Sequence, residues 1–277
     1  MKVSCVCPTY NRPPDYQWLL EESIESFLRQ DHPEKELIVL NDCPEQELVC
    51  EAPGVSIINV PRRFHTIGEK YNGAIALSDG EFIAPWDDDD ITLPWRLSKS
   101  LELLGDADYY NPRGYWLLDS KGLHLDHHKG PAPCSWLYTR RAFDLVDGYP
   151  HMSDREDRVM NRRLRDHPNI KTAKRGRLSP SEWYYVYRWG ISAAHLSHWA
   201  RGENRYREIG SRPVRPGVYI LRPHWREDYV AKTRSRLAQE ASRSVVGSGR
   251  EATQSCPASR LSLASDQSAT RQAFHRP

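Results

Sequence analysis

No run in this 277-residue chain is apolar over the roughly 20 residues that a membrane span takes. A secretory leader is not expected either. The opening "MKVSCVCPTYNRPP" holds an apolar run of only about five residues, where a leader core needs roughly 7–15. Zinc-like cysteine spacing is missing. Cys5, Cys7, Cys43, Cys50, Cys134 and Cys256 are scattered, and Cys5-Val6-Cys7 is one residue tighter than a Cys-x-x-Cys clip. The expectation is reduced, partly buried thiols in a cytoplasmic protein. A dominant charge is absent too, since the net charge is only +2. Residues 231–277 hold eight Lys/Arg against three Asp/Glu, which leaves the rest at −3. A mildly acidic body excludes a nucleic-acid surface built on charge. What is present suits a folded domain: 39% hydrophobic and 27% charged residues, with nine tryptophans and fourteen tyrosines.

The apolar pattern alternates between two periods. Val3–Cys7 reads as a buried strand that stops at Pro8. In "WLLEESIESFLRQ", Leu20, Ile24, Phe27 and Leu28 share one helical face. "KELIVLND" and "VSIINV" are the next strands, with unbroken apolar runs that suit a sheet covered on both faces. Thr66 and Glu69 form a capping box before a helix with Ile67, Tyr71, Ala74 and Ile75 inside. "GEFIAPW" is the fourth strand and runs into Asp87–Asp90. Thr92 is expected to cap a following helix with Leu93, Leu97, Leu101 and Leu104 inward. This alternation predicts an α/β fold with a mostly parallel central sheet and helices on both faces.

Ligands of such sheets bind beyond the carboxyl ends of the strands. Three polar clusters fall there: "PTYNR", "NDCPE" and "DDDD". Carboxylates at a strand end suit a hard divalent cation, and Mg²⁺ takes one or two of them plus substrate phosphates. Side chains of an extended turn alternate, so Asp87 and Asp89 are expected on one side and Asp88 and Asp90 on the other. A cation between them makes their mutual repulsion tolerable. Asp90 is expected to accept N–H bonds at the start of the next helix. After Asp106 short β-like pieces ("YWLL", "SWLY", "WYYVYRW") surround one clear helix, "REDRVMNRRLRD". "HLDHH" is expected to be loop, and Trp136 and Trp189 are expected in the core. From about Ala231 the chain turns Ser/Arg/Ala-rich, with Phe274 its only aromatic, and is expected to be disordered.

These pieces resemble the GT-A domain of glycosyltransferase family 2, a Rossmann-like nucleotide-diphospho-sugar transferase fold. The matching segments are "VSCVCPTYNRP", "ELIVLNDCPE", "IGEKYNGAIALSDGEFIAPWDDDDITLPWRL", "DGYP…REDRVMNRRL" and "YVYRWGISAAHLS", from Val3 to about Ser197. The resemblance implies transfer of a sugar from a nucleotide-sugar, with inversion and with Mn²⁺ or Mg²⁺. It puts Thr9 and Tyr10 near the donor base, Asp42 against the N3–H of uracil, and Lys70 and Asn72 near the nucleotide. Asp87–Asp89 match the metal-binding DxD motif: Asp89 first and Asp87 second as ligands, Asp88 toward the ribose or sugar. Asp157 matches the general base. It shares a helical face with Met160 and Leu164, so it points inward, and such surroundings can raise a carboxylate's pKa. The family pattern also suggests His195 near the metal or diphosphate.

Two departures touch the nucleotide end. Cys43-Pro44 stand where the family has Gly-Ser, and Tyr71 replaces an Arg beside Asn72. A UDP-sugar is the first donor expected; the acceptor is a glycan, lipid or protein. One rival, a sugar nucleotidyltransferase, needs a Gly-rich loop after the first strand, and "CPTYNRPP" has no glycine. The other rival is a non-catalytic nucleotide-sugar or carbohydrate-binding module, against which the Glu156-Asp157 pair argues. The expected layout is residues 1–225 as the transferase domain, with 1–105 binding nucleotide-sugar and 106–225 serving acceptor and catalysis. Residues 226–277 form an extension. The expected location is the cytoplasm, with a peripheral place at a membrane as the variant.

Overall fold

A computed structural model describes residues 1–131, 134–174, 178–189 and 212–248. The central sheet has the strand order β4-β2-β1-β5-β10-β7. Its strands are β1 (Val3–Thr9), β2 (Lys35–Asn41), β4 (Val55–Asn59), β5 (Phe82–Pro85), β7 (Tyr109–Tyr110) and β10 (Leu137–Thr139). β1, β2, β4 and β5 are parallel, while β10 runs antiparallel to β5 and β7.

Side-chain alternation along β1 and β2 splits the core into two layers. Val3, Cys5, Cys7, Leu37 and Val39 meet Leu20, Ile24 and Phe27 of α1 (Gln17–Leu28) and Leu97 and Leu104 of α3 (Arg96–Leu104). Val6, Ile38 and Leu40 face the other way. They meet α2 (Ile67–Ala76), α4 (Arg140–Leu145) and α5 (Glu156–Asp166) through Tyr71, Ala74, Ala142, Met160 and Leu164. Each of these buried aliphatic or aromatic side chains is worth about 1.5–3 kcal/mol, so helices cover both faces of the sheet. The Thr66–Glu69 capping box forms as expected: Thr66 accepts from Glu69 N, and Glu69 returns to the Thr66 N–H.

A second sheet has the order β6-β11-β8-β9, formed by β6 (Ile91–Thr92), β8 (Arg113–Asp119), β9 (Gly122–Pro131) and β11 (Tyr185–Arg188). It corrects three expectations. Thr92 lies in β6, paired with Tyr185, and does not cap a helix. The residue before a proline is pushed out of helical conformation, so Pro94 delays α3, whose N-cap is Trp95. "HLDHH" is not loop but part of β9, antiparallel to β8. Trp136 is buried as expected, but Trp189 is 38% exposed. It lies just past the end of β11 and packs on Tyr187, two residues earlier.

A third, two-stranded sheet pairs β3 (Gln46–Val49) in parallel with β12 (Gly217–Ile220). The last described element is α6 (Tyr229–Ser248). Residues 229–248 are therefore helical where disorder is expected. The reason lies just before and at the helix start. Trp225 Nε1 donates to Ser26 Oγ at 3.0 Å, and Tyr229 Oη donates to Glu22 Oε1 at 3.0 Å. Arg29 lies 4.4 Å from the Trp225 ring centre. Contacts divide the chain into Met1–Ala238 and Gln239–Pro277. No helix among the described residues is long and apolar enough to cross a membrane.

Candidate active site

Parallel register brings the ends of β1, β2 and β5 side by side: Thr9 lies opposite Asn41, and Val6 opposite Pro85. The residues just beyond are Tyr10–Arg12, Asp42 and Asp87–Asp90. α2 inserts Lys70 between the first two groups. Lys70 Nζ donates to Thr9 O and to Asp42 Oδ1, both at 2.5 Å. Burial pulls the Lys70 pKa down, and Asp42 opposes that pull. Asp42 is fully buried, and its Oδ2 accepts from Phe64 N at 3.0 Å. Asp42 thus holds both the Lys70 ammonium and the Phe64 backbone at the end of β2. Tyr10 is half-buried, with the Arg63 guanidinium 4.1 Å above its ring. Next to this end lies a cavity of about 440 Å³ lined by Cys43, Pro44, Glu47, Asn59, Val60 and Val218 among others.

The four aspartates pair differently from the expected alternation: Asp88 with Asp89, and Asp87 with Asp90. Asp88 takes Thr9 Oγ1 at 2.6 Å, Arg12 Nε at 2.7 Å and Arg12 Nη2 at 2.5 Å. Asp89 takes Arg12 Nη2 at 3.0 Å. Burial lowers the Arg12 pKa, but Asp88 and Asp89 reverse this and hold the guanidinium firmly charged. Asp87 and Asp90 share one hydroxyl, Tyr185 Oη, at 2.5 Å each. Asp90 also accepts from Arg188 N at 2.7 Å. Asp90 therefore anchors β11 and is not at a helix start, which corrects that expectation: the run ends in β6, opposite β11. A hydroxyl carries one proton and cannot donate to two carboxylates at once. Burial, then Asp89, pushes Asp87 up to about 6; burial, then Asp89 and Asp87, also pushes Asp90 up. A proton on either carboxyl, donated to Tyr185 Oη, which donates to the other, satisfies all three groups.

The second half of the chain reaches the same cluster through Cys134. Its thiol is raised by burial, then by Asp87 and Asp157. One sulfur thus feels both the end of β5 and the start of α5. Asp157 lies in the first turn of α5, after Arg155 in left-handed conformation (φ 64°), and its Oδ1 accepts from Arg158 N at 2.6 Å. Met160 and Leu164 are fully buried beneath it. Tyr71 stacks on Tyr149 at 4.6 Å, and Tyr71 Oη lies 3.9 Å from Cys134 Sγ. Asn72, expected near the nucleotide, spends its amide on the Tyr149 backbone, donating to O at 3.0 Å and accepting from N at 2.8 Å. It fastens α2 to the segment leading into α5.

Among the described residues no group of three His, Cys, Asp or Glu side chains is arranged to hold a metal. The donor chemistry fits a hard divalent cation all the same. Such an ion takes one or two carboxylates and draws its other ligands from phosphate and water. The Arg12 guanidinium on Asp88 and Asp89 already stands where positive charge is required. His195 lies outside the described residues. Sequence reasoning missed Arg12, Tyr185 and Cys134 as members of this cluster. The signal for Arg12 was the aspartate run itself, which calls for a buried cation.

Parallel strand ends carrying an aspartate cluster, covered by an α-helical and a mixed β layer, define a GT-A fold. S. aureus TarS 1–349, crystallised in complex with UDP-GlcNAc, superposes with a TM-score of 0.56 over 76% of this chain and 64% of its own. At 18% identity this likeness speaks for the fold. The glycosyl transferase family 2 model matches residues 4–144. The uncharacterized glycosyltransferase YwdF of Bacillus subtilis is 32% identical over 114 residues, 39% of this chain and 40% of its own. An uncharacterized glycosyltransferase of Rickettsia bellii is 28% identical over 133 residues, 45% of this chain and 18% of its own. The chain spans less than half the length of these two relatives. It belongs to glycosyl transferase family 2.

Proposed function

We propose that this chain is a metal-dependent, inverting glycosyltransferase of the hexosyltransferase type. It moves a sugar from a nucleotide-diphosphate sugar to an acceptor hydroxyl. The observation that carries the reading is the aspartate run beyond β5, which both halves of the chain contact: Arg12 of the β1 loop bonds Asp88 and Asp89, and Tyr185 of β11 bonds Asp87 and Asp90. TarS, with the same fold, binds UDP-GlcNAc, which supports a UDP-sugar as donor.

Residues 1–105 form the donor half in this reading and residues 106–225 the acceptor half. Thr9, Tyr10 and Lys70 shape the nucleotide end, and Asp42 holds Lys70 for that task. Asp89 and Asp87 would hold Mn²⁺ or Mg²⁺, with His195 as a further candidate ligand. When bound, the ion offsets charge building on the leaving diphosphate. Asp157 takes the proton from the acceptor hydroxyl as that oxygen attacks the anomeric carbon. Inversion follows from a single displacement with base and leaving group on opposite sides. The acceptor is a glycan, lipid or protein hydroxyl, and the cytoplasm is the proposed location.

A screen of nucleotide-sugars for Mn²⁺-dependent thermal stabilisation, followed by transfer and hydrolysis assays, tests the reading. Asp157→Asn should keep donor affinity within about twofold while transfer falls by the 10²–10⁴-fold that a general base contributes. Transfer at the normal rate by Asp157→Asn would remove the base assignment. Donor binding without turnover in the parent chain would favour a binding module instead.

A further inference from the structure

Arg12 is 4% exposed, and its carboxylate partners Asp88 and Asp89 are 7% and 8% exposed. The guanidinium divides itself unequally. Its fork closes on Asp88 with two bonds, at 2.7 and 2.5 Å, and Thr9 adds a third at 2.6 Å. Toward Asp89 it extends one longer bond of 3.0 Å from Nη2. The loop that carries Arg12 is pinned on both flanks. Gln46 Nε2 donates to Asn11 Oδ1 at 3.1 Å and to Pro13 O at 2.9 Å. The loop is thus held by Gln46, the guanidinium by the fork on Asp88, and the single bond to Asp89 is the weaker of the two carboxylate contacts.

We infer that Arg12 is the resident counter-cation of the aspartate cluster. It locks Asp88 into the fold and yields Asp89 to a divalent cation that enters together with the donor diphosphate. This rests on the reading that the site takes a metal and a nucleoside diphosphate. A bare cation approaching Asp89 meets a like charge held by the fork on Asp88. A cation carrying diphosphate brings the negative charge that Nη2 can turn to. Arg12 is a positioning residue in this scheme. It couples metal entry to donor entry, so metal alone binds weakly and metal with nucleotide binds tightly.

The test is calorimetric titration of the whole chain with MnCl₂ alone and with MnCl₂ in the presence of UDP or GDP. Wild type should bind Mn²⁺ at least about tenfold more tightly with the nucleotide. Arg12→Met should bind Mn²⁺ alone about tenfold more tightly than wild type, a modest fraction of what one charge at contact distance contributes near a protein surface. Its melting temperature should fall in chelator and recover on adding Mn²⁺ alone. A purely structural arginine would not produce a gain in metal affinity. Arg12→Lys keeps the charge without the fork, and its affinity for Mn²⁺ alone should stay within about threefold of wild type. A folded Arg12→Met that binds Mn²⁺ no better than wild type overturns the inference. So does a wild type that binds Mn²⁺ equally well with and without nucleotide, a comparison that stands even if Arg12→Met does not fold. A wild type that binds neither nucleotide with Mn²⁺ overturns the functional reading beneath it.

Discussion

At the scale of single residues, position in a motif and task in the fold are separate matters. Four adjacent aspartates split into two pairs, because two elements reach them: Arg12 of the β1 loop bonds Asp88 and Asp89, and Tyr185 of β11 bonds Asp87 and Asp90. Asp88 faces the β1 loop, Asp89 shares the Arg12 guanidinium, Asp87 faces Tyr185, and Asp90 anchors β11. Asp89→Asn should weaken nucleotide binding in Mn²⁺ at least about tenfold, with little change in chelator, since a neutral amide is a poorer ligand for a hard cation. Calorimetry under both conditions reads this directly. Asp108, away from the site, offers a pH test. Burial pushes its pKa up, but Lys171 N, Arg141 and Thr139 outweigh burial and hold it below 3.8. A lowered folded pKa gives stability that is present above the unfolded value and lost as pH falls through the folded one. Asp108→Asn should therefore cost about 1 kcal/mol at pH 7. The gap from wild type should close in melts taken below about pH 3.9.

At the scale of elements, periodicity served well where both neighbours were local. α1, α2 with its capping box, β1, β2, β4 and β5 follow from the pattern of apolar residues and caps. The second sheet was not legible, because β6 is two residues long and β9 reads "GLHLDHHKGP". Such strands owe their existence to partners far along the chain, and no local propensity announces them. The backbone contacts of Asn72 and Asp42 were hidden for the same reason: Tyr149 and Phe64 lie in loops. Docking of α2 on the segment before α5 also explains one glycine. A Cβ on Gly68 would stand 1.8 Å from Pro150 O. Gly68→Ala should push that segment and α5 away from the cleft. The expected result is transfer lowered about 10²-fold, as a misplacement of about 1 Å can produce, with donor affinity changed far less. Single-turnover kinetics beside binding titrations would separate the two.

At the scale of the whole molecule, long-range polar contacts tie late residues to the first helix. Glu22 is fully buried; its Oε1 accepts from Arg226 N at 2.8 Å and Tyr229 Oη at 3.0 Å, and its Oε2 forms an ion pair with Arg188 Nη2 at 2.8 Å without hydrogen-bond geometry. Glu22→Gln should cost about 3–5 kcal/mol, the usual penalty for stranding one partner of a buried ion pair. Chemical denaturation would show this as a lower midpoint with an unchanged slope. The pairing of β3 with β12 has a consequence for the order in which the protein is made. Gln46 reaches Arg215 O across 169 positions of sequence. At about 5–20 residues per second, the ribosome needs about 10–30 s to supply that distance. For that interval β3 has an empty edge, and the loop that carries Arg12 is held by a glutamine whose later partner does not yet exist. A chain halted on the ribosome before Arg215 should therefore have its central strands in place and its donor end still loose.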